Sequence, residues 1–464
     1  MVVEFIMGRN QKGCIHVEKN LTNGSVLKTV VSFSLPYLLS YLLQTLYGMA
    51  DLFIIGQYEG VASTTAVSIG SQVMHMLTVM LVGLAMGTTV SIAQAVGAGD
   101  RPRAAACTGN TVTLFMVLSV VLTGALLLLR GAIVSVMATP AKAVDGTRAY
   151  LTVCFLGIPF ITAYNILSSI FRGMGDSRSP MLFVLVACIA NILLDYLFMG
   201  AMHLGPAGAA LGTTIAQAIS VAVSLAAIVR RRSLRLKKSD LRPQRDVVRG
   251  ILRIGVPVAV QDGFIQISFI VITIIANHRG LTDAAAVGIV EKIIGFLFLV
   301  PSSMLSTVSA LGAQNIGAGK PERAIRTLQW AIALCCGFNV LVVAAVQFAA
   351  EPLVALFTPD AAVAISGGQY LRGYVWDSFF AGVQFSFSGY FCACGKSELS
   401  FLHNFLSILL VRIPGAYLAS RLFPQTLLPM GLSNAAGSLF SILVCVIAFT
   451  VLRRRAARER SLHG

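Results

Sequence analysis

Two stretches of this chain, QAVGAGDRPRA at residues 94–104 and QNIGAGKPERA at residues 314–324, match one another at an offset of 220 residues. Each follows a long apolar run and contains two glycines, which favour a tight turn where a helix passes into a loop. Other pairs keep this spacing to within one residue: Tyr150 with Tyr370, Gly175 with Gly395, and Pro36 with Pro257. The first half of the chain is therefore repeated in the second half.

The composition indicates a membrane protein. Of the 464 residues, 56% are hydrophobic and 12% are charged, whereas about a quarter of a soluble domain is charged. Apolar runs of about 20 residues, long enough to cross a bilayer as a helix, recur along the whole chain. They predict twelve spans, near residues 29–55, 66–93, 105–129, 147–171, 181–200, 207–230, 251–276, 285–313, 327–348, 363–390, 401–420 and 430–452. The mixed polar sequence before the first span does not predict a cleavable signal peptide.

Each copy of the repeat contains six spans, an even number, so both copies cross the membrane in the same direction and the repeat is parallel. The predicted fold is an all-α polytopic membrane protein in which twelve transmembrane helices form two six-helix lobes. The predicted segments are a cytoplasmic N-terminal tail at 1–28, an N-lobe at 29–230, a basic cytoplasmic linker at 231–250, a C-lobe at 251–452 and a basic cytoplasmic tail at 453–464.

The basic residues predict the orientation. If both termini are cytoplasmic, 26 of the 35 lysines and arginines fall on the cytoplasmic side, and six fall in the opposite loops. Positive charge is retained on the cytoplasmic side of a membrane, so we expect both termini there. The net charge of +16 then reflects topology and some attraction to anionic lipids, and it does not indicate nucleic-acid binding. The nine cysteines are scattered and predict neither a disulfide framework nor a metal site.

A fixed order of motifs accompanies the repeat. Pro36, Gln44 and Asp51 lie in the first span, followed by FRGMGDSRSP at 171–180, NILLDYLF at 191–198 and GPAGAALGTTIAQ at 205–217. With the paired GAG loops, this set resembles the multidrug and toxic compound extrusion (MATE) family over about residues 28–452. The resemblance implies two lobes around a central cavity and export of organic, cationic or amphipathic aromatic compounds in exchange for protons or sodium ions.

The same resemblance implies a secondary active antiporter, which alternates access between its two lobes, and not an enzyme. It implies no cofactor apart from the coupling ion. We expect the partners to be small organic substrates and membrane lipids, with no nucleic acid, and we expect a monomer. A lipid-linked oligosaccharide flippase of the same superfamily is the alternative, although such proteins often have fourteen spans and a basic cavity.

In the DinF-like bacterial and archaeal branch of that family, the coupling carboxylates lie in the N-lobe, and Asp51 and Asp195 match them. Other polar positions around the pair are matched by Gln44, Asn165, Asn191 and Thr213. Spacing agrees with a cluster, since Asp51 and Asp195 each lie near the outer end of an outward-running span, and Asn191 is one helical turn from Asp195. An ionisable residue in a span costs ~3 kcal/mol or more unless it faces a bundle interior or water. Repulsion and desolvation disfavour two charges in one such pocket, so a change of protonation could bias the bundle.

Another branch of the family couples ions through C-lobe acids. This chain has Ile265 and Ala381 at those positions, so that site is expected to be absent. Asp262, Glu291 and Asp377 are still possible contacts for substrate or a secondary cation; Glu291 could also pair with Lys292. Arg412 is expected to satisfy a carbonyl or a C-lobe acid, and Pro36 is a possible hinge. A membrane aspartyl protease is disfavoured because neither Asp51, in MADL, nor Asp195, in LLDYL, lies in the YD or GxGD context of that class.

Overall fold

The computed structural model of the protein describes residues 21–231 and 237–463. Within these ranges the chain is helical, without a β-strand. The first half contains α1 Val26–Tyr58, α2 Val61–Gly97, α3 Arg101–Val136, a 3₁₀ turn Ala141–Ala143, α4 Val144–Leu156, α5 Ile158–Gly173, α6 Arg178–Asp195, a π-helical segment Tyr196–Ala201 and α7 Gly205–Arg231. The second half contains α8 Arg245–Asn277, α9 Leu281–Leu297, α10 Leu299–Gly317, α11 Pro321–Ala355, α12 Ala361–Ala393, α13 Ser397–Ser407, a π-helical segment Ile408–Arg412, α14 Ile413–Leu422 and α15 Leu428–His463.

These helices form twelve rods, one for each predicted span, so the predicted all-α polytopic fold is confirmed. In the described ranges, nine rods are long and apolar enough to cross a membrane alone. Two further rods are bent pairs, α4 with α5 at 49° and α9 with α10 at 41°. The first bend falls at Gly157, and Pro159 lies in the first turn of the next helix, which begins at Ile158. The twelfth rod is α12, whose buried polar residues lower its hydropathy.

The position of α12 explains why it can be polar. It packs against α9, α11 and α15, so most of its surface is covered by other helices. Two glycines permit the close approach: a Cβ at Gly382 would lie 2.7 Å from Cys335 Cβ, and one at Gly389 would lie 2.5 Å from the Leu305 carbonyl oxygen. A helix surrounded by other helices can exchange apolar residues for hydrogen-bonded polar ones, which a lipid-facing helix cannot do.

The chain divides into two compact units. The first is mainly Leu35–Leu252, and the second is mainly Arg253–Ile316 and the residues from Lys320 onward, with Ser25–Ser34. Of the predicted tails and linker, residues 1–20, 232–236 and 464 lie outside the described residues. α8 begins at Arg245, inside the predicted linker.

The repeated glycines adopt the same backbone geometry in both copies. Gly99 and Gly319 have φ of +71° and +69°, and Gly175 and Gly395 have φ of +89° and +69°. Glycine adopts this left-handed conformation without the steric cost that a Cβ imposes on most other residues. The sequence repeat is therefore a repeat of turn structure too, with helix ends at matching places.

Each unit has its own apolar core, and one repeated tyrosine lies in each. The larger buried residues of the first core include Ile54, Val67, Tyr150, Leu151 and Phe155. Those of the second include Val287, Val290, Tyr370, Leu371 and Tyr374. Tyr150 and Tyr370, matched in sequence, thus occupy buried positions in the corresponding rods.

Candidate ion-coupling site in the first unit

Two aspartates of the first unit are buried at the junction of three helices. Asp51 lies on α1 and Asp195 is the last residue of α6. Their exposed fractions are 5% and 0%. The backbone changes from α to π directly after Asp195. A π segment interrupts the regular helical ladder and is often found beside functional residues.

The two carboxyl groups lie close enough for the charge of one to act on the other. Thr213 of α7 donates from Oγ1 to Asp51 Oδ2 over 3.4 Å, and Asn191 donates from Nδ2 to Asp195 Oδ1 over 3.5 Å. The Thr213 hydroxyl is also 3.2 Å from the Ala209 carbonyl oxygen, so its single proton has two possible acceptors. The structure thus brings together Asp51, Asp195, Asn191 and Thr213, while their role stays a prediction.

The cluster contains more acceptors than donors. Asp51 Oδ1, Asp195 Oδ2 and Asn191 Oδ1 are buried and have no hydrogen-bond partner among the described residues. No described lysine or arginine forms an ion pair with either aspartate. Burying such atoms without partners is costly, and a proton held by the pair would supply a missing donor. The arrangement is therefore suited to taking up and releasing a proton.

A glycine that the sequence analysis did not single out makes room for Asp195. A Cβ at Gly212 would lie 2.1 Å from Asp195 Oδ1, far inside the contact distance. Gly212 directly precedes Thr213, so this turn of α7 supplies both the space for one carboxyl group and the hydroxyl that reaches the other. The signal was present in the motif GPAGAALGTTIAQ, but one sequence does not reveal which of its glycines faces a carboxylate.

Two of the predicted polar residues have other partners. Gln44 lies near Tyr164, whose hydroxyl has no hydrogen-bond partner among the described residues, and Asn165 donates to the carbonyl of Ile161 in its own helix over 2.8 Å. Four residues absent from the predicted site lie close enough to Asp51 to interact with its charge: Tyr47, Tyr150, Cys154 and Cys188. Of these residues, the sequence analysis singled out only Tyr150, through its match to Tyr370. That match indicated the repeat and did not indicate a site.

The second unit holds a buried ion pair. Asp377 on α12 is fully buried, and Arg412, at the end of the second π segment, donates from Nη2 to its two oxygens over 3.0 and 3.3 Å. Ser438 of α15 donates to Asp377 and accepts from Arg412. The expectation that Arg412 satisfies a C-lobe acid agrees with this geometry. Asp377 therefore already has a cationic partner, which its sequence context did not reveal.

The other two acids of the second unit are not in ion pairs. Glu291 accepts from Thr273 Oγ1 over 3.0 Å, whereas the neighbouring Lys292 is exposed and forms no described ion pair with it. Asp262 has no hydrogen-bond or ionic partner among the described residues, and Cys392 lies close to its charge. No group of three or more acidic, histidine or cysteine side chains suited to a metal ion occurs in residues 21–231 and 237–463.

A duplicated twelve-helix protein with ionisable residues buried inside its membrane-spanning helices has the architecture of a multi-pass membrane transporter. The sequence profile of the MatE family matches residues 36–197 and 257–418, one match in each copy of the repeat. The chain therefore belongs to the MatE family, as the motif resemblance predicted. It is a multi-pass membrane transporter and not an enzyme.

Two bacterial relatives are similar to this chain over most of its length. A probable multidrug resistance protein of Bacillus subtilis, YpnP, is 25% identical over 439 residues, covering 95% of this chain and 98% of that protein. A probable multidrug resistance protein of Thermotoga maritima, NorM, is 25% identical over 420 residues, covering 89% and 90%. A solved MOP-superfamily transporter from Pyrococcus furiosus is 22% identical with a TM-score of 0.87, covering 96% of this chain and 99% of that one, which shows the common fold.

Proposed function

We propose that the protein is a secondary active antiporter that exports organic, cationic or amphipathic aromatic compounds in exchange for protons. The observation that carries the proposal is the buried carboxyl pair Asp51 and Asp195, which has unpartnered oxygens and no described cationic partner. The names of the two bacterial relatives support drug export as the activity.

Protonation would change the interactions inside the first unit. With both carboxyl groups ionised, the cluster holds two like charges in a buried site that offers few donors. A proton removes one charge and adds an O–H donor, so the site can close around hydrogen-bonded groups. Release of the proton on the cytoplasmic side would reverse this change. Protonation of the pair thus favours one of two arrangements of the surrounding helices, which is what coupling to an ion gradient requires.

Several further features belong to the same proposal. The protein lies in the bacterial inner membrane with both termini in the cytoplasm, and it works as a monomer surrounded by lipid. The coupling ion is a transported species, and no resident cofactor takes part. Asp262, half-buried and without a described partner, is a possible contact for the positive charge of a substrate.

The test is efflux from proteoliposomes that contain the purified protein and ethidium, a planar aromatic cation. Proton and sodium gradients are imposed separately, with the membrane potential clamped. We expect a proton gradient alone to drive ethidium transport against its concentration gradient. Transport driven by a sodium gradient alone would mean that sodium, and not the proton, is the coupling ion at this site. Absence of transport under either gradient, for ethidium and for a panel of aromatic cations, would contradict the proposal.

A further inference from the structure

The connection between the two copies of the repeat is attached to α3 by a buried asparagine. Asn110 is fully buried. Its Nδ2 donates to the Asp240 carbonyl oxygen over 3.1 Å, and its Oδ1 accepts from the Gln244 backbone N–H over 2.6 Å. One side chain therefore binds the connecting segment with both ends of its amide.

Two neighbouring positions on α3 complete the attachment. Thr113 donates from Oγ1 to the Leu241 carbonyl oxygen over 2.7 Å. A Cβ at Gly109 would lie 2.3 Å from the Asp240 carbonyl oxygen, so only glycine allows the segment to approach this closely. The segment is also held internally, since Asp240 Oδ2 accepts from the Lys237 backbone N–H over 2.8 Å. Gly109, Asn110 and Thr113 are called the α3 clamp below.

The first turns of α8 pack against side chains of the same unit. Ile251 is fully buried in a cluster with Ala85, Phe115 and Ile166. Val247, one turn earlier on the same face, packs against this cluster. The first compact unit includes Leu252 and the second includes Arg253, so the change of unit falls inside α8 and not in the connecting segment.

The repeat provides an independent observation. The counterparts of the α3 clamp, 220 residues later on α11, are all exposed: Gln329, Trp330 and Ala333. None of them keeps the glycine, the asparagine or the threonine of the first copy, although the loops just before both helices match closely. The two copies therefore differ at the positions that hold the connection.

The backbone of α8 is weakened just beyond this attachment. Pro257 lacks the N–H that would bond to the Arg253 carbonyl. That carbonyl oxygen instead accepts from Ser397 Oγ of α13 over 3.1 Å, within the second unit. Residues before Arg253 are thus held by one unit, Arg253 is held by the other, and a ladder bond is missing between them.

We propose that the α3 clamp makes residues 237–252 a fixed part of the first unit, so that the chain bends within α8 between Leu252 and Pro257 during transport. The described part of the basic connection, from residue 237 onward, is then a strap and not a free linker. Only the transport measurement in the test depends on the proposed function; attachment of the strap is measured without it.

The attachment is tested by hydrogen–deuterium exchange on the full-length protein in nanodiscs. Asn110→Leu should raise the rate of backbone amide exchange in residues 237–252 by about tenfold, since both hydrogen bonds from the Asn110 side chain to the segment are lost. Asn339→Leu is the matched control, because Asn339 is equally buried on α11 and its amide donates to Cys335 of its own helix. Thr113→Val provides a milder variant should Asn110→Leu fold poorly. Exchange that is already fast in the wild type, or equal in the variants and the control, would overturn the strap.

The bend is tested in the same protein with spin labels attached through introduced cysteines, with the native cysteines replaced. Label distances between Ser239 and α3 should stay constant when substrate and pH are varied, whereas distances across Leu252–Pro257 should change. A constant distance across Leu252–Pro257 would overturn the proposed position of the bend. A released strap with an unchanged ethidium transport rate would show that the strap has no mechanical role.

Discussion

Asp51 has a neighbouring acid, a hydroxyl and an amide around it, but no described cation to stabilise a permanent charge. Asparagine has nearly the same shape and cannot exchange a proton. Asp51→Asn should therefore reduce proton-driven ethidium efflux to the level of empty liposomes, while the protein inserts and binds ethidium. Asp145→Asn, at an exposed position on α4, is the control and should transport normally. Wild-type efflux by Asp51→Asn would remove Asp51 from the coupling site.

Gly212 tests the geometry of the site without changing its charge. Alanine favours a helix over glycine by about 1 kcal/mol, so a substitution at an open helical position is neutral or stabilising. At Gly212 the added methyl would displace the Asp195 carboxyl group. We expect Gly212→Ala to lower the rate of proton-driven efflux severalfold and to change its pH dependence. Gly124→Ala on α3, where a Cβ meets nothing within 4 Å, should leave both unchanged.

At the scale of elements, the buried ion pair connects α12 to the π segment that precedes α14. Breaking such a pair leaves an uncompensated charge and costs about 3–5 kcal/mol, whereas replacing both partners with apolar residues can cost little. Arg412→Leu and Asp377→Leu should each lower the melting temperature in detergent, and the double variant should recover most of the loss. The exposed Lys292→Leu is the control for removing one cation. Additive losses in the double variant would show that the two side chains are not coupled.

This pairing also changes what is expected of the acids in the second unit. Asp377 already has Arg412 and Ser438 as partners. Its substitution should therefore lower the stability of the protein before it weakens substrate binding. Asp262 has no such partner, and Glu291 has one hydroxyl donor. Of the three, Asp262 is the acid whose neutralisation should weaken binding of cationic substrates without loss of stability.

At the scale of the whole molecule, the distribution of charge predicts the orientation. Green fluorescent protein fused after residue 463 should fluoresce in intact bacteria, and alkaline phosphatase fused at the same place should be inactive. Phosphatase fused at Gln425, between α14 and α15, should be active because this connection faces the opposite side. The reverse pattern of activities would show that the topology is the opposite of the predicted one, and that the direction of export is opposite as well.

The sequence by itself determined the class, the number of rods and the repeat. A predicted span depends on hydropathy averaged over about 20 residues. All twelve spans are therefore recognisable despite local polar residues, such as those of α12. The offset of 220 residues reappears as matched left-handed glycines, because turn geometry depends on a few adjacent residues. Asp51, Asp195, Asn191 and Thr213 could be grouped from the motif resemblance, and the similar depth of the two aspartates and the one-turn spacing of Asn191 and Asp195 agree with that grouping.

Only the tertiary structure decided the remaining contacts, because these join rods whose rotation about their own axes the pattern does not specify. Gln44 and Asn165 match polar positions of the resembling family, yet Gln44 lies near Tyr164 and Asn165 donates to a carbonyl of its own helix. Arg412 reaches Asp377 from the next rod, and Asn110 reaches a segment 130 positions away. A side chain on a membrane helix can face lipid, a core or a polar cluster according to a rotation of a few tens of degrees, and that rotation is set by packing among all the helices together.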